Sequence, residues 1–239
     1  MAGRAAEPEV IWARPERTGR GPKPAYSRAD IAAAAVRIAD ADGLDAVSMR
    51  RIAADIGCGT MSLYNYVPRK EDLYELMVDL VSGEYELSRE PSGDWRADMM
   101  FLARQARDIM RRHPWVIRVM SSVYSISPNA LRCLDWVLAC LEGLDVPPGT
   151  KLELFGMVNG SVMTFVANEL ALAERARATA WSAEREQAVR GEYMMRQVMT
   201  GEYPHLAALF AQGVAPAEDP EATFERMLGR LLDSYAPVR

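Results

Sequence analysis

The sequence predicts an all-α protein, with a small N-terminal helical unit followed by a larger helical domain. Three observations lead there. Apolar residues recur at helical spacing along much of the 239-residue chain, and no alternating apolar–polar run marks a strand. Prolines at 114, 128, 147, 148 and 220 fall where helices would begin, a position at which the missing N–H costs nothing. No internal repeat of roughly 20–50 residues is visible, which argues against a solenoid.

The elements follow in order. Residues 1–25 contain Pro8, Pro15, Pro22 and Pro24 with no periodicity, and are predicted to form a disordered basic, Pro-rich arm. Its run from Arg17 to Lys23 fits either a minor groove or a solvated tail. A first helix starts at Ser27, with Asp30 completing a capping box, buries Ile31, Ala34, Ala35 and Ile38, and ends at Gly43. The acidic run Asp40, Asp42 and Asp45 resembles a calcium loop but lacks the later ligands, so it reads as a helix end. A second helix takes Ser48 as its cap and buries Met49, Ile52, Ala53 and Ile56. A third runs from about Thr60 to Val67, where Pro68 stops it. A fourth, from about Lys70 to Leu87, buries Leu73, Leu76, Met77, Leu80 and Val81. Further helices are predicted near residues 94–113, 114–123, 128–143, 147–178, 182–200 and 220–235.

Ala53, Gly57 and Leu63 form the skeleton of a helix-turn-helix. A small residue suits a close helix crossing, a glycine suits a left-handed exit from the first helix, and an apolar residue on the second helix plugs back into the crossing. The outer face of the second helix is then free to enter a DNA major groove. A plain αα-corner shares the spacing, so the neighbouring residues matter. Charge distribution adds to the case. Residues 1–70 hold 11 Lys/Arg and 8 Asp/Glu, a net +3, and residues 71–239 hold 17 and 25, a net −8. A basic end on an acidic body suits a protein that meets nucleic acid through one domain.

Gly57-Cys-Gly-Thr-Met-Ser-Leu63-Tyr64-Asn65-Tyr66-Val67-Pro68-Arg69-Lys70-Glu-Asp-Leu73 carries a glycine turn, a short helix ending Leu-Tyr-x-aromatic-apolar, and Lys-x-x-Leu. On this pattern Ser27 to Leu80 resembles the DNA-binding domain of the TetR family of bacterial repressors. Trp95-Arg, His113-Pro114-Trp115 and the stretch from Ser127 to Leu144 resemble more loosely the subgroup nearest the tetracycline repressor. One departure is Gly59, where the family often has a serine cap. Thr60 or the glycine itself must serve, at a cost of a few tenths of a kcal/mol.

The resemblance implies site residues. It places Tyr64 at the phosphate backbone, Tyr66 nearer the packing side, and Lys70 on a phosphate. Thr60, Met61, Ser62 and Asn65 form the exposed face, where Asn65 suits adenine and Met61 a thymine methyl. Ser48 and Arg50 fall where the family meets the backbone or a groove edge. It further implies a homodimer on a double-stranded, pseudo-palindromic operator. The dimer would form through the helices containing Leu154–Leu172 and Phe224–Tyr235, unless the stripe of Phe224, Met227, Leu228, Leu231 and Leu232 packs only within one chain.

The remaining 91–239 region reads as a helical ligand-binding and dimerisation domain, joined to the 26–70 helix-turn-helix domain by a connecting helix at 71–90. Its polar ligand candidates are Gln105, His113, Asn159, Thr164, Asn168 and Glu169, with Met163 among many methionines suited to an irregular apolar pocket or to any helical core. The only histidines, His113 and His205, both sit beside prolines, so neither metal nor cofactor is expected. Cys133 and Cys140, seven apart, read as core residues and not a redox pair, and an odd total of three cysteines argues against a disulfide framework. No enzyme motif such as GxSxG, a Walker loop or HExxH is present. The N-terminus shows no signal-peptide pattern and no membrane-length apolar run appears, so a cytoplasmic location is expected. The expectation is a transcriptional regulator released by a small effector. The alternatives are a ligand-independent architectural DNA-binding protein and, less directly, a helical enzyme.

Overall fold

The computed structural model describes residues 10–14, 26–120, 126–178, 182–213 and 219–236. Among them every regular element is helical: α1 Arg28–Asp42, α2 Met49–Ile56, α3 Thr60–Leu63, α4 Lys70–Ser82, α5 Trp95–Arg112, α6 Val116–Met120, α7 Pro128–Cys140, α8 Pro148–Ala178, α9 Ala183–Val198, α10 Pro204–Ala211 and α11 Pro220–Asp233. They group into two compact units that divide within α8, between Met163 and Thr164.

Local capping sets most of these boundaries. Ser27 and Asp30 form the reciprocal box that opens α1: Asp30 Oδ2 accepts from the Ser27 N–H at 2.7 Å, and Ser27 Oγ accepts from the Asp30 N–H at 3.2 Å. Ser48, Asp94, Ser127 and Asp219 cap α2, α5, α7 and α11 in the simpler way, each oxygen accepting from an N–H two or three residues on. Pro128, Pro204 and Pro220 open their helices. The helix α10 lies outside the spans expected from the sequence, which left 201–219 unassigned.

In the first unit, α1 lies across α2 and α4, and Ile31, Ala34, Ala35, Ile52, Leu63, Val67, Leu73 and Met77 fill the space between them. The α4 helix is shorter than expected, ending at Ser82 and not near Leu87. Val78 is buried on it, whereas Leu80 is 38% exposed. Leu80 borders a groove of about 520 Å³, shared with Trp12, Arg28, Ala32, Asp79 and Asn129, so its side chain meets open space instead of α1. Asn129 at the start of α7 ties α4 down: its N–H donates to Asp79 Oδ1 at 2.8 Å and its amide to the Asp79 carbonyl at 3.0 Å.

A second departure concerns the N-terminal arm. Residues 10–14 are docked, with Ile11–Ala13 forming a 3₁₀ turn and Ile11 only 1% exposed inside the core. The Trp12 indole N–H donates to Glu75 on α4 at 3.0 Å. The Arg28 guanidinium donates to the carbonyls of Ile11 at 3.1 Å and Arg14 at 2.8 Å. An isoleucine that can fill a core and an arginine that can satisfy orphaned carbonyls outweigh the local Pro-rich character. The expectation for Arg17 to Lys23 falls outside the described residues.

Cys133 and Cys140 are buried, as core residues. The buried Asp98 of α5 receives the Arg89 guanidinium at 2.5 Å and the Ser92 N–H at 2.8 Å, which folds the 83–94 link onto α5. In the second unit, α11 buries Phe224, Leu228 and Leu232, and Phe224 meets Phe165 of α8 edge to face with centroids 5.2 Å apart. That stripe is thus used inside the chain, and Met227 and Leu231 beside it stay half-buried. No helix among the described residues is long and apolar enough to cross a membrane.

Candidate nucleic-acid interface

The turn between α2 and α3 is built on one backbone conformation. Gly57 caps α2 at φ 73°, ψ 36°, the left-handed region that side chains with a Cβ enter at a cost. Its N–H and that of Cys58 both return to the Ala53 carbonyl, the latter at 2.9 Å. Ala53 is buried, leaving room for α3 to cross, and Leu63 and Val67 fill the crossing. Gly59 precedes α3 with no side-chain cap, so the glycine serves and Thr60 does not. The third helix is shorter than expected. Regular α-helix stops at Leu63, and Tyr64 to Tyr66 continue as turn, with Asn65 N–H to Ser62 O at 3.2 Å and Tyr66 N–H to Leu63 O at 2.9 Å.

This geometry sorts the predicted side chains. Met61 is 78% exposed and Tyr64 46%, and Asn65 is exposed beside them. Thr60 and Ser62 are half-buried. Tyr66 turns inward, its ring 5.1 Å from that of Tyr26, and its carbonyl accepts from Arg28 Nε at 3.3 Å. Ser48 spends its hydroxyl on the α2 cap, accepting from the Arg51 N–H at 3.3 Å, while Arg50 on the next turn is exposed. Lys70 opens α4 with its ammonium 5.3 Å from the centre of the Tyr74 ring. The Tyr74 side chain holds the Lys70 ammonium above the usual lysine range, so its charge is secure.

Sequence reading missed Arg69. It closes a capping arrangement with the buried Asp72, donating Nε–H to Oδ2 at 3.0 Å, with Nη2 2.5 Å from Oδ1. Hydrogen bonding to Asp72 raises the Arg69 pKa further, so this site always carries a cation next to Lys70. An aspartate three residues into a helix was the available signal. Three acidic residues of the head are already partnered: Asp55 with Arg37 at 2.5 Å, Asp42 with Arg51, and Asp45 with Arg118 at 3.0 Å. Such exposed pairs add little stability but leave less negative charge to repel a phosphate.

The ligand candidates are scattered. Gln105 Oε1 accepts from the Glu86 N–H at 2.7 Å, which fixes the amide orientation and leaves its buried Nε2 without a partner. His113 is buried with both ring nitrogens against carboxylates, Nδ1 on Asp40 and Nε2 on Glu84. On α8, Asn159, Met163 and Glu169 are half-buried, and Thr164 and Asn168 are exposed. None of the seven borders the groove beside Trp12, nor a second cavity of about 480 Å³ between Leu172, Arg175, Glu186, Arg190 and Met194 in the second unit.

A capped two-helix corner that offers Met61, Tyr64 and Asn65 to solvent, with Lys70 at the start of the next helix and further helices following in the chain, defines a helix-turn-helix regulator. Residues 31–77 match the family model for bacterial regulatory proteins of the tetR family, and residues 87–235 match the tetracyclin repressor-like C-terminal domain. The chain belongs to the TetR family of transcriptional regulators. It is 34% identical over 226 residues to the HTH-type transcriptional repressor DrrR1 of Streptomyces coeruleorubidus, covering 94% of this chain and 83% of that protein. It is 31% identical over 220 residues to an HTH-type transcriptional regulator of Saccharopolyspora erythraea, covering 92% and 88%. In fold it is similar to the Streptomyces coelicolor TetR family protein ActR in complex with actinorhodin, at TM-score 0.70 and 22% identity over 88% of this chain and 96% of that one.

Proposed function

We propose that this chain is a ligand-responsive transcriptional repressor that binds a pseudo-palindromic operator as a homodimer and is released by a small, largely apolar molecule. The observation that carries the reading is the outward Met61–Tyr64–Asn65 face on a head that α4 links to α7 through Asp79 and Asn129. Tyr64, Lys70, Ser48 and Arg50 meet phosphates or a groove edge, and Thr60, Met61, Ser62 and Asn65 read bases. Tyr66 supports them from behind. Residues 26–70 act as the reading head, 71–90 as the connection and 91–239 as the effector and dimer domain. Repression in the 34% identical relative supports the sign of the regulation.

One corner reads too little DNA to specify an operator, and two-fold pairing supplies the second half-site. The α8 surface bearing Leu152 and Met157, 48% and 47% exposed, supports pairing there, with the α11 surface around Met227 and Leu231. The effector candidates lie on α5 and on α8. The unpaired Gln105 Nε2 favours a molecule with an acceptor oxygen, and Asn159, Met163, Thr164, Asn168 and Glu169 complete the candidate set, while His113 drops out of it. Effector binding shifts α4 and moves the two heads out of register. A swing from 1:99 to 99:1 takes about 5.5 kcal/mol of differential affinity.

The test starts by selecting an operator from a random duplex pool with the full-length protein. Tyr64→Ala and Lys70→Ala each weaken binding to it without dissociating the dimer, and Lys70→Ala lowers the salt slope by about one. Normal binding by both variants would overturn the assignment of α3 and its flank. Actinorhodin, which one fold relative binds, serves as the first release probe at constant salt. A protein that no panel of apolar aromatic compounds releases is the architectural alternative.

A further inference from the structure

His113 ends α5 as its C-terminal cap and is 8% exposed. Its Nδ1 lies 2.8 Å from Asp40 Oδ1 in the last turn of α1, and its Nε2 lies 2.9 Å from Glu84 Oε1, just beyond α4. The same Asp40 oxygen accepts the Trp115 indole N–H at 2.7 Å, and the other Glu84 oxygen accepts from Arg112 at 2.5 Å. A neutral imidazole has one N–H and one bare nitrogen, and a bare nitrogen cannot donate to a carboxylate. The imidazolium can donate to both at once, through charge-assisted bonds. A second feature points the same way. The last turn of α1 holds no basic residue, and His113 joins the Arg51 guanidinium on Asp42 beside its negative dipole end.

The arrangement joins parts that do different work. Asp40 belongs to α1, which carries α2 and α3 through the shared core, and Glu84 follows α4, while Arg112, His113 and Trp115 belong to the α5–α6 corner. We infer that His113 is a positioning residue for operator recognition: held by both ring nitrogens between Asp40 and Glu84, it sets the angle at which the reading head stands against α5. The inference rests on the dimeric repressor reading and adds a second connection to the one at Asp79 and Asn129. Arg118 on Asp45 extends the same seam at 3.0 Å.

The readout is half-site spacing, which a merely stabilising contact would not move. The full-length dimer is titrated against duplexes with the selected half-sites and central spacers changed by one base pair either way. His113→Gln, Asp40→Asn and the double variant should each lose affinity for the native spacing, by about tenfold. They should also discriminate less between spacings, and keep wild-type affinity for an isolated half-site. The double variant should be no worse than either single one, because the two groups act as a unit. Trp115→Phe, which keeps an aromatic ring but removes the indole N–H to Asp40 together with the pyrrole half of the indole, should move spacing preference the same way by less, and covers the case in which His113→Gln does not fold. Folded dimeric variants with unchanged spacing preference would overturn the inference. A wild-type protein that selects no two-fold duplex would instead overturn the repressor reading.

Discussion

Two glycines in the reading corner sit two residues apart and do opposite things, which a pair of substitutions exposes. At Gly57, φ 73° and ψ 36°, a Cβ would meet nothing within 4 Å. The cost of Gly57→Ala is therefore backbone strain alone, about 1–2 kcal/mol for an L-residue in the left-handed region. Restriction of the unfolded chain returns about 0.4–1 kcal/mol. The net is a destabilisation of about 0.5–1 kcal/mol. At Gly59, φ −78° and ψ 135° suit any residue, and a Cβ would meet only Ser62 Oγ at 3.8 Å. Gly59→Ser adds the cap that α3 lacks, a few tenths of a kcal/mol, plus the same unfolded-state gain of about 0.4–1 kcal/mol. The two variants should thus separate by about 1.5 kcal/mol. Urea unfolding followed by circular dichroism at one fixed dimer concentration would show midpoints about 0.5–1 M apart, at a slope near 2 kcal/mol per M. Coincident midpoints, or a Gly57→Ala variant more stable than the parent, would refute the account of the turn.

Other outcomes follow from buried groups. Burial pushes the Glu84 carboxyl up, but Arg112 and His113 outweigh it and hold the group below its ordinary value of 4.5. Its stabilising contribution is therefore present above that value and lost as pH falls through the lowered one. The melting-temperature gap between the parent and Glu84→Gln should shrink over that acid range, and a gap independent of pH would contradict it. Burial raises the Cys133 thiol to about 11, and burial with the nearby Asp98 raises Cys140 to about 12. In the native protein iodoacetamide should label half-buried Cys58 first, by mass spectrometry, with the other two protected until unfolding. Ile11→Ala deletes three carbons from a site 1% exposed. It should cost about 2–3 kcal/mol, or less if the segment releases instead, and released peptide bonds near residue 11 should become open to limited proteolysis.

Features written in short-range patterns were legible from the amino acids. The Ser27–Asp30 box, the Ser48 cap, the Ala53–Gly57–Leu63 corner and the burial of Cys133 and Cys140 all depend on spacings within one or two helices. The inward turn of Tyr66 and the exposure of Tyr64 also follow the family resemblance. What escaped is long-range. His113 looked like a pocket residue because nothing near it in sequence takes up an imidazole, and its partners lie 73 and 29 residues away. Ile11 lost its signal among prolines, since its seat is formed by helices that come later in the chain. Leu80 had the right periodicity for burial, but a groove opens opposite it. At Arg69 the pattern was short-range and still missed, because arginine offers no acceptor for the usual cap and works through its carboxylate partner.

Arg28 holds the N-terminal turn and the end of the reading corner through three main-chain oxygens, those of Ile11, Arg14 and Tyr66. A fork that grips backbone is indifferent to which side chains those positions carry. Exchange of Arg28 for lysine, a single point charge in place of a planar fork, would let go of at least one of the three.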